Sequence, residues 1–266
     1  MMKRFVVLDK KVGETPLASL LSFKKAHPEL AGIPASYAGR LDPMASGKLL
    51  ILLGEECKNQ AKYTGLDKEY EIEILLDVGS DTGDALGILD FESVETALSL
   101  KKLRKALRQE RGRHARAYPQ FSSKPVQGKP LFMHSLEGTI DAIDIPVHEE
   151  RIYKTKILGT TLIESKALES RIREFLSKVP VSDEPSKALG ADFRIARVRK
   201  CWEDVFEQTS ERTFTVLKLR VACGTGAYMR SLAGRIGEAL GTKALALSIH
   251  RTKVGKYWNG FWFKKF

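Results

Sequence analysis

The amino-acid sequence is compatible with an α+β fold, because strand-like and helix-like stretches alternate along it, and three observations show this alternation. Residues 5–8 and 49–53 are short apolar runs that resemble buried strands. Residues 70–76 and 215–221 alternate apolar with charged side chains, which is typical of a strand with one solvated face. Between such segments, leucines recur at helical spacing, as in residues 100–107.

Capping signals separate these segments along the chain. Thr15 and Ser99 are predicted helix N-caps, Pro16 takes a first helical position, and Gly241 ends a helix. In chain order, the predicted elements are a strand at 5–8, a helix from Pro16, a strand at 49–53, a short helix at 55–63, a strand at 70–76, a basic helix at 100–111, a strand at 152–163, a helix at 168–179, a strand at 215–221 and a helix ending at Gly241. A segment at about 164–192 is predicted as an insertion packed on the main body.

Composition favours a folded protein with a polyanionic partner. Hydrophobic residues make up 43% of the 266 residues, and the net charge is +11. That charge favours nucleic acid or an acidic membrane surface as partner, with a merely solvated basic surface as the alternative. No apolar run reaches the length of a membrane span, and the N-terminus is too weakly apolar for a secretory signal. Cys57, Cys201 and Cys223 are scattered, which suits reduced thiols and a cytoplasmic location.

The stretch YAGRLDPMASGKLLILLG carries the first candidate for chemistry. Asp42 follows a glycine and an arginine and precedes Pro43, and an apolar run comes shortly afterwards. A carboxylate on a stiff turn beside a core element can be aimed into a cleft. The alternative is an ordinary turn, or a helix N-cap with proline at the first helical position.

Three acids lie in a glycine-rich loop after the strand at 70–76. Asp77, Asp81 and Asp84 do not have the spacing of a calcium-binding loop, and Asx-turns explain most of them. No cysteine and histidine pattern indicates zinc. We therefore expect no metal and no cofactor.

Two later stretches fit an RNA partner. Residues 112–138 mix basic residues with aromatic ones, as single-stranded RNA recognition requires; a long hairpin with its aromatics in the core is the equal alternative. The stretch CGTGAYMRSLAG is a glycine turn that opens a helix, with Arg230 near the turn. A guanidinium there can pair with an acid or a phosphate.

Five motifs, in this order, resemble the TruB-type pseudouridine synthases, which convert a uridine in the T-arm loop of tRNA (position 55) to pseudouridine. GRLDPMASGKLLILLGEECK resembles the catalytic motif of that family. KEYEIEILLDVGSDTGDALG resembles its strand and acidic loop, FSSKPVQGKPLF its GK segment, and CGTGAYMRSLAGRIGEALG its late glycine turn and helix. LDKKVGET resembles the N-terminal motif. The resemblance runs from about residue 5 to residue 257, apart from the insertion.

The resemblance implies a role for particular residues. Asp42 would be the catalytic aspartate, Arg230 the arginine that pairs with it, and Tyr70 the tyrosine that stacks on the target base. Residues 247–256 would line the rim of the active site. The candidate substrate-binding residues are Tyr70, Tyr37, Asp81, Lys10, Gly128, Lys129, Tyr228 and Lys253.

The resemblance also implies a fold and a function. We expect a mixed, mostly antiparallel sheet with flanking helices and a central cleft, in one catalytic domain spanning residues 1–266. The expected partner is tRNA, with no membrane and no metal, and the chain is expected to be a monomer. Many family members carry a C-terminal PUA domain; the chain ends about nine residues after the last match, so no PUA domain is expected.

Three departures and two alternatives accompany that expectation. The family usually has histidine five residues before its aspartate, where Tyr37 stands, proline where Lys11 stands, and lysine where Thr225 stands. One alternative is a non-catalytic factor that binds or folds tRNA on the same scaffold. The other is a glycosidic hydrolase, which would need a second acid opposite Asp42, such as Asp81 or Asp84.

Overall fold

A computed structural model describes residues 4–91, 95–179, 194–263 and 266. The described α-helices are α1 (Pro16–Ala26), α2 (Gln60–Thr64), α3 (Leu100–Gln109), α4 (Leu131–Leu136), α5 (Ser165–Ser177), α6 (Ile195–Gln208) and α7 (Met229–Leu240). The described strands are β1 (Phe5–Lys10), β2 (Ala35–Ala38), β3 (Ala45–Leu53), β4 (Asp67–Leu76), β5 (Val78–Ser80), β6 (Leu89–Phe91), β7 (Gly112–Ala117), β8 (Pro125–Val126), β9 (Lys129–Pro130), β10 (Val147–Glu164), β11 (Thr213–Cys223), β12 (Ala244–Trp258) and β13 (Phe261–Phe263).

Nine of these strands form one sheet. Its order is β1-β3-β12-β4-β11-β10-β7, with β2 added beside β3 and β13 beside β12. β3 and β12 run parallel, whereas the other neighbouring strands described in this sheet run antiparallel. The sheet is therefore mixed and mostly antiparallel, and β4 lies between β12 and β11 near its centre.

The apolar run in β3 is buried on both faces of the sheet. Leu49, Ile51 and Leu53 pack with residues of α1, whereas Leu50 and Leu52 pack with Phe5 and Tyr63 on the other face. This explains why the run is continuously apolar instead of alternating. β3 thus forms a rigid support immediately after Asp42.

Most of the remaining core lies between the sheet and the helices α3, α5, α6 and α7. Each of these helices buries one apolar face, and Trp202 of α6 is among the largest fully buried side chains. No helix in the described ranges is long and apolar enough to cross a membrane.

Several local predictions differ from the structure. The short helix predicted at 55–63 is a 3-10 helix (Gly54–Asn59) followed by α2. The basic helix ends at Gln109, because the next residues enter β7, which the sequence analysis left within a loop. The predicted insertion begins with the end of β10 and α5, and its residues 180–192 lie outside the described part of the chain.

Candidate active site

Asp42 lies in the loop between β2 and β3, and no helix follows it, so the N-cap alternative is wrong. The loop is held by a buried arginine of β12. Arg251 donates to the backbone carbonyls of Gly39 (3.0 Å), Arg40 (3.2 Å) and Lys48 (2.7 Å). Because these carbonyls flank Asp42 on both sides, one guanidinium fixes the path of the loop.

The rest of the loop is anchored by its neighbours. Leu41 and Met44 are buried, and the carbonyl of Pro43 accepts a hydrogen bond from the backbone N–H of Gly13 at 2.9 Å. The side chain of Asp42 itself remains 46% exposed. A rigid backbone therefore presents a carboxylate that solvent or a ligand can reach.

Arg230, in the first turn of α7, pairs with that carboxylate. Its Nε lies 2.7 Å from Oδ2 of Asp42 and 3.5 Å from Oδ2 of Asp84. Its two terminal nitrogens donate to the carbonyls of Thr82 (2.5 Å) and Phe121 (3.0 Å). With both terminal nitrogens occupied, the guanidinium is held with Nε toward the acids.

Charge at this centre is stabilised on the arginine. Burial alone would lower the pKa of Arg230, but the carboxylates of Asp42 and Asp84 raise it above its ordinary value. Burial raises the pKa of Asp84, against the opposing effects of Arg230 and of a hydrogen bond from Thr82. Arg230 therefore stays cationic beside the exposed carboxylate.

A cleft of about 520 Å³ opens over this pair. Of the ten predicted site residues, it brings together Tyr37, Asp42, Tyr70, Tyr228 and Arg230. Tyr70 projects from β4, is 8% exposed, and has a pKa raised by burial. Tyr228 immediately precedes α7 and is half-buried.

The cleft is also rich in cations. Arg40, Lys68, Arg230 and Arg251 line it, and among the described lining residues Asp42 is the acid. The Nζ of Lys68 donates to the carbonyl of Thr64 at 2.6 Å. Burial, followed by the charge of Arg251, lowers the pKa of Lys68 to about 8. Such a lining suits a ligand that carries negative charge.

Two predicted site residues, Asp81 and Lys10, lie outside the cleft and are bound to other partners. Asp81 forms two hydrogen bonds with Arg194, at 2.6 and 3.1 Å, and lines a separate groove beside α7. Lys10 is buried at the end of β1, and its Nζ donates to the carbonyls of Lys11 and Glu14. Burial lowers the pKa of Lys10 to about 8, and the charges of Glu14 and Asp42 oppose that effect.

Three others lie on more distant elements. Gly128 and Lys129 belong to the β8–β9 hairpin, where Lys129 pairs with Glu137. Lys253 pairs with Glu69 at 2.7 Å. Of the predicted rim at 247–256, Ile249 and Arg251 line the cleft. Gly128, Lys129 and Lys253 are therefore not among the residues that line the cleft, and contact with the substrate stays a prediction for them.

The loop at 112–138 has features of both alternatives. His134 is buried, whereas Tyr118 lines the cleft, stacks on His148 at 4.2 Å and lies 5.2 Å from Nζ of Lys124. Phe121 supplies the carbonyl that accepts from Arg230. One end of this segment therefore belongs to the site, whereas His134 packs in the interior.

Sequence analysis missed Lys68, Tyr118 and Asp84 as site residues, and it included Arg251 only within the predicted rim at 247–256. Asp84 was visible in the acidic loop but was weighed for a metal and for a hydrolase instead. In the structure Arg230 binds both Asp42 and Asp84, so Asp84 is a partner of the arginine and not an acid facing Asp42 across a substrate.

The architecture defines the class of protein: an α+β protein with a mixed, mostly antiparallel sheet, flanking helices and a cleft. A crystal structure of a Cbf5–Nop10–Gar1 complex matches the chain with a TM-score of 0.54 at 18% sequence identity. The match covers 94% of this chain and 48% of that chain. The α+β fold with a mixed, mostly antiparallel sheet is confirmed.

The sequence comparison then defines the family. The family model described as TruB family pseudouridylate synthase (N terminal domain) matches residues 31–173, more than half of the chain. The chain belongs to this family.

Two curated relatives show how far the similarity extends. The tRNA pseudouridine synthase B of Xanthomonas axonopodis pv. citri (strain 306) is 29% identical over 249 residues, covering 94% of this chain and 62% of the relative. That of Bordetella avium (strain 197N) is 26% identical over 258 residues, covering 95% of this chain and 81% of the relative. The chain therefore spans about three fifths of the length of the Xanthomonas relative.

Proposed function

We propose that this chain isomerises a specific uridine of tRNA to pseudouridine, and that the target lies in the T-arm loop. The observation that carries the proposal is the half-exposed carboxylate of Asp42, paired at 2.7 Å with buried Arg230 at the base of a cation-lined cleft. Membership of the TruB family supports the reaction, and the names of the curated relatives support the tRNA substrate.

In the proposed reaction, Asp42 and Arg230 supply the groups that act on the reacting atoms. Isomerisation breaks the C–N bond between N1 of uracil and C1′ of the ribose, turns the base, and forms a C–C bond from C1′ to C5. C5 then loses its proton, and N1, which has left C1′, gains one. The product therefore contains the same atoms as the substrate, and no co-reactant is consumed. Asp42 acts either by attack on C1′ or by removal of the C2′ proton, and both routes need its ionised form. Arg230 stabilises that form and orients it.

The cleft supplies the remaining requirements. A uridine must leave its stack to reach Asp42, which costs a few kcal/mol. In the proposal, Tyr70 recovers part of that cost by stacking on the base. Tyr37 and Tyr228 are assigned to contacts with the surrounding loop of the RNA, because both line the same cleft.

The test uses purified protein and unmodified tRNA transcripts. We expect wild-type protein to form pseudouridine and Asp42→Asn to lower the rate by about a thousandfold or more, since amide nitrogen replaces the reacting oxygen. Asp204→Asn is the matched control, because Asp204 lies on α6 in a surface pair with Lys200. A wild-type rate in Asp42→Asn would refute the assignment of Asp42.

The same experiment separates the alternative function. A non-catalytic tRNA-binding factor would bind the transcript without forming pseudouridine in the wild-type protein. Mapping the modified position decides the second half of the proposal, because T-arm specificity requires pseudouridine in that loop and its loss when the target uridine is replaced by cytidine.

A cytoplasmic location belongs to the same proposal. It is supported by the absence of disulfides among the three cysteines, Cys57, Cys201 and Cys223. Fluorescence microscopy of the tagged full chain would test it, and concentration at a membrane would contradict it.

A further inference from the structure

The loop that holds Arg230 is in turn held by a helix beyond the segment that the family model matches. That match ends at residue 173, whereas α6 begins at Ile195. Trp202 of α6 donates its indole N–H to the carbonyl of Ala85 at 3.1 Å, and its side chain is fully buried. α6 therefore packs directly beneath the loop of residues 81–88.

Arg194, the residue before α6, contacts two segments of the chain that also bind Arg230, one at Asp81 and one at Phe121. Its guanidinium makes two hydrogen bonds to the carboxylate of Asp81, at 2.6 and 3.1 Å. The same guanidinium lies 4.6 Å from the ring centroid of Phe121. One cation thus joins the Asp81 loop to the Phe121 segment.

Those two segments supply the carbonyls that fix Arg230. Thr82, next to Asp81, accepts from one terminal nitrogen of Arg230 at 2.5 Å. Phe121 accepts from the other at 3.0 Å. A shift of either segment would turn the guanidinium and move its Nε relative to Asp42.

The backbone at Arg194 is unusual in a way that fits such a role. Its φ of 55° and ψ of 34° are left-handed, a conformation that costs free energy for a residue with a Cβ. Strained residues of this kind persist where surrounding contacts hold them, and they cluster at functional sites. Here those contacts are with Asp81 and Phe121.

We propose that Arg194 is a positioning residue for Arg230, which acts by clamping the Asp81 loop to the Phe121 segment. The inference rests on the proposed function for its effect on rate. The pair is partly exposed, with side-chain exposures of 23% for Arg194 and 35% for Asp81, so it adds little to stability. Its consequence lies in the geometry of Arg230.

The test compares variants that keep the backbone. Arg194→Asn removes the clamp, and asparagine tolerates the left-handed conformation. Asp81→Asn removes the charge but keeps an oxygen for the N–H of Ile88, which Asp81 now accepts at 2.8 Å. Lys200→Asn, on the exposed face of α6, is the matched control.

We expect the single-turnover rate at saturating tRNA to fall about tenfold to a hundredfold in Arg194→Asn, as for other small misplacements of reacting groups. Asp81→Asn should fall by a similar factor, and the double variant no further, because both remove one interaction. The Kd for tRNA, measured with Asp42→Asn added, should stay within about twofold of the parent. Lys200→Asn should match wild type.

Hydrogen exchange provides a readout that does not depend on activity. Peptides covering residues 81–88 and 119–123 should exchange faster in Arg194→Asn than in Lys200→Asn. Unchanged exchange in these peptides would overturn the clamp, as would an unchanged turnover rate or a loss confined to the Kd. Wild-type protein that forms no pseudouridine would instead refute the proposed function, and the exchange result would still decide the clamp.

Discussion

Buried cations surround the candidate active site of this chain. Lys10 is 2% exposed, Lys68 is 5%, Arg230 is 5% and Arg251 is 1%. The two arginines are satisfied by carbonyls and carboxylates, because a guanidinium offers five donors in a rigid fork. Burial lowers the pKa of the two lysines to about 8. Their charge therefore changes in a pH range where the charge of the arginines does not.

Lys68 gives a prediction with a defined sign. Its pKa is about 8 in the folded protein, against an ordinary value of 10.5. Between these two values the unfolded chain holds more protons, so the contribution of Lys68 to stability rises with pH across that window and is lowest below it. The gain approaches about 3 kcal/mol at its upper end.

The measurement is urea unfolding of wild type and Lys68→Met from neutral pH to about pH 10. The difference between their unfolding free energies should change in favour of wild type above pH 8. Lys10 titrates near the same pH but is present in both proteins, so its effect cancels. A difference that is flat across the range would show that Lys68 does not titrate there.

Individual site residues can be predicted from the sequence when they lie in a recognisable motif. Asp42 and Arg230 lie in motifs, and the structure places them 2.7 Å apart. Lys68 lies in the KEYEIEILL motif and Arg251 in the predicted rim, but their burial could not be found in this way, because in a chain with 44 basic residues a buried cation has no local signature. Their burial results from strand pairing between β4 and β12, which no local pattern specifies.

The position of Asp42 depends on the parallel pairing of β3 with β12. Gly47 of β3 pairs with Arg251 of β12 in the parallel ladder. A Cβ on Gly47 would lie 2.3 Å from the backbone oxygen of Arg251, and the φ of Gly47 is +104°. Glycine is therefore required both by the close approach and by the backbone conformation.

Gly47→Ala should lower the free energy of unfolding by roughly 2–5 kcal/mol, which combines backbone strain with overpacking. The turnover rate of the surviving folded protein should also fall, because Arg251 holds the Asp42 loop. Gly32→Ala is the control: its φ is +78° but no atom lies within 4 Å of the added Cβ, so it carries backbone strain alone. Chemical denaturation and turnover assays measure both effects, and equal losses in the two variants would contradict the argument.

Elements were predictable where their own pattern is strong. β3, β4 and β11 have the expected apolar runs or alternation, and α1 and α3 begin at the predicted caps Thr15 and Ser99. β7 was not predictable, because residues 112–117 are polar and their strand depends on pairing with residues 147–152 of β10. Tertiary contacts decide such segments.

The charge of the whole molecule is unevenly distributed. α3 carries five exposed cations, Lys101, Lys102, Arg104, Lys105 and Arg108, and no acid lies within the helix. Its other face packs on α7, the helix that begins beside Arg230. Glu110, just after α3, binds Arg235 of α7 at 2.9 Å and so joins the two helices. The basic face of α3 is thus rigidly connected to the candidate site.

If tRNA is the partner, that face should contribute phosphate contacts, and salt dependence can count them. Each contact adds about 0.9 to the slope of log Kd against log salt on duplex nucleic acid. Replacing Lys101, Lys105 and Arg108 by Gln should therefore lower the slope by roughly 2 to 3 and weaken binding at low salt. The control replaces Lys25, Lys166 and Lys200 by Gln, which changes the net charge equally on three other helices. If both triple variants show the same slope, the basic face of α3 does not contact the RNA and the net charge alone accounts for binding.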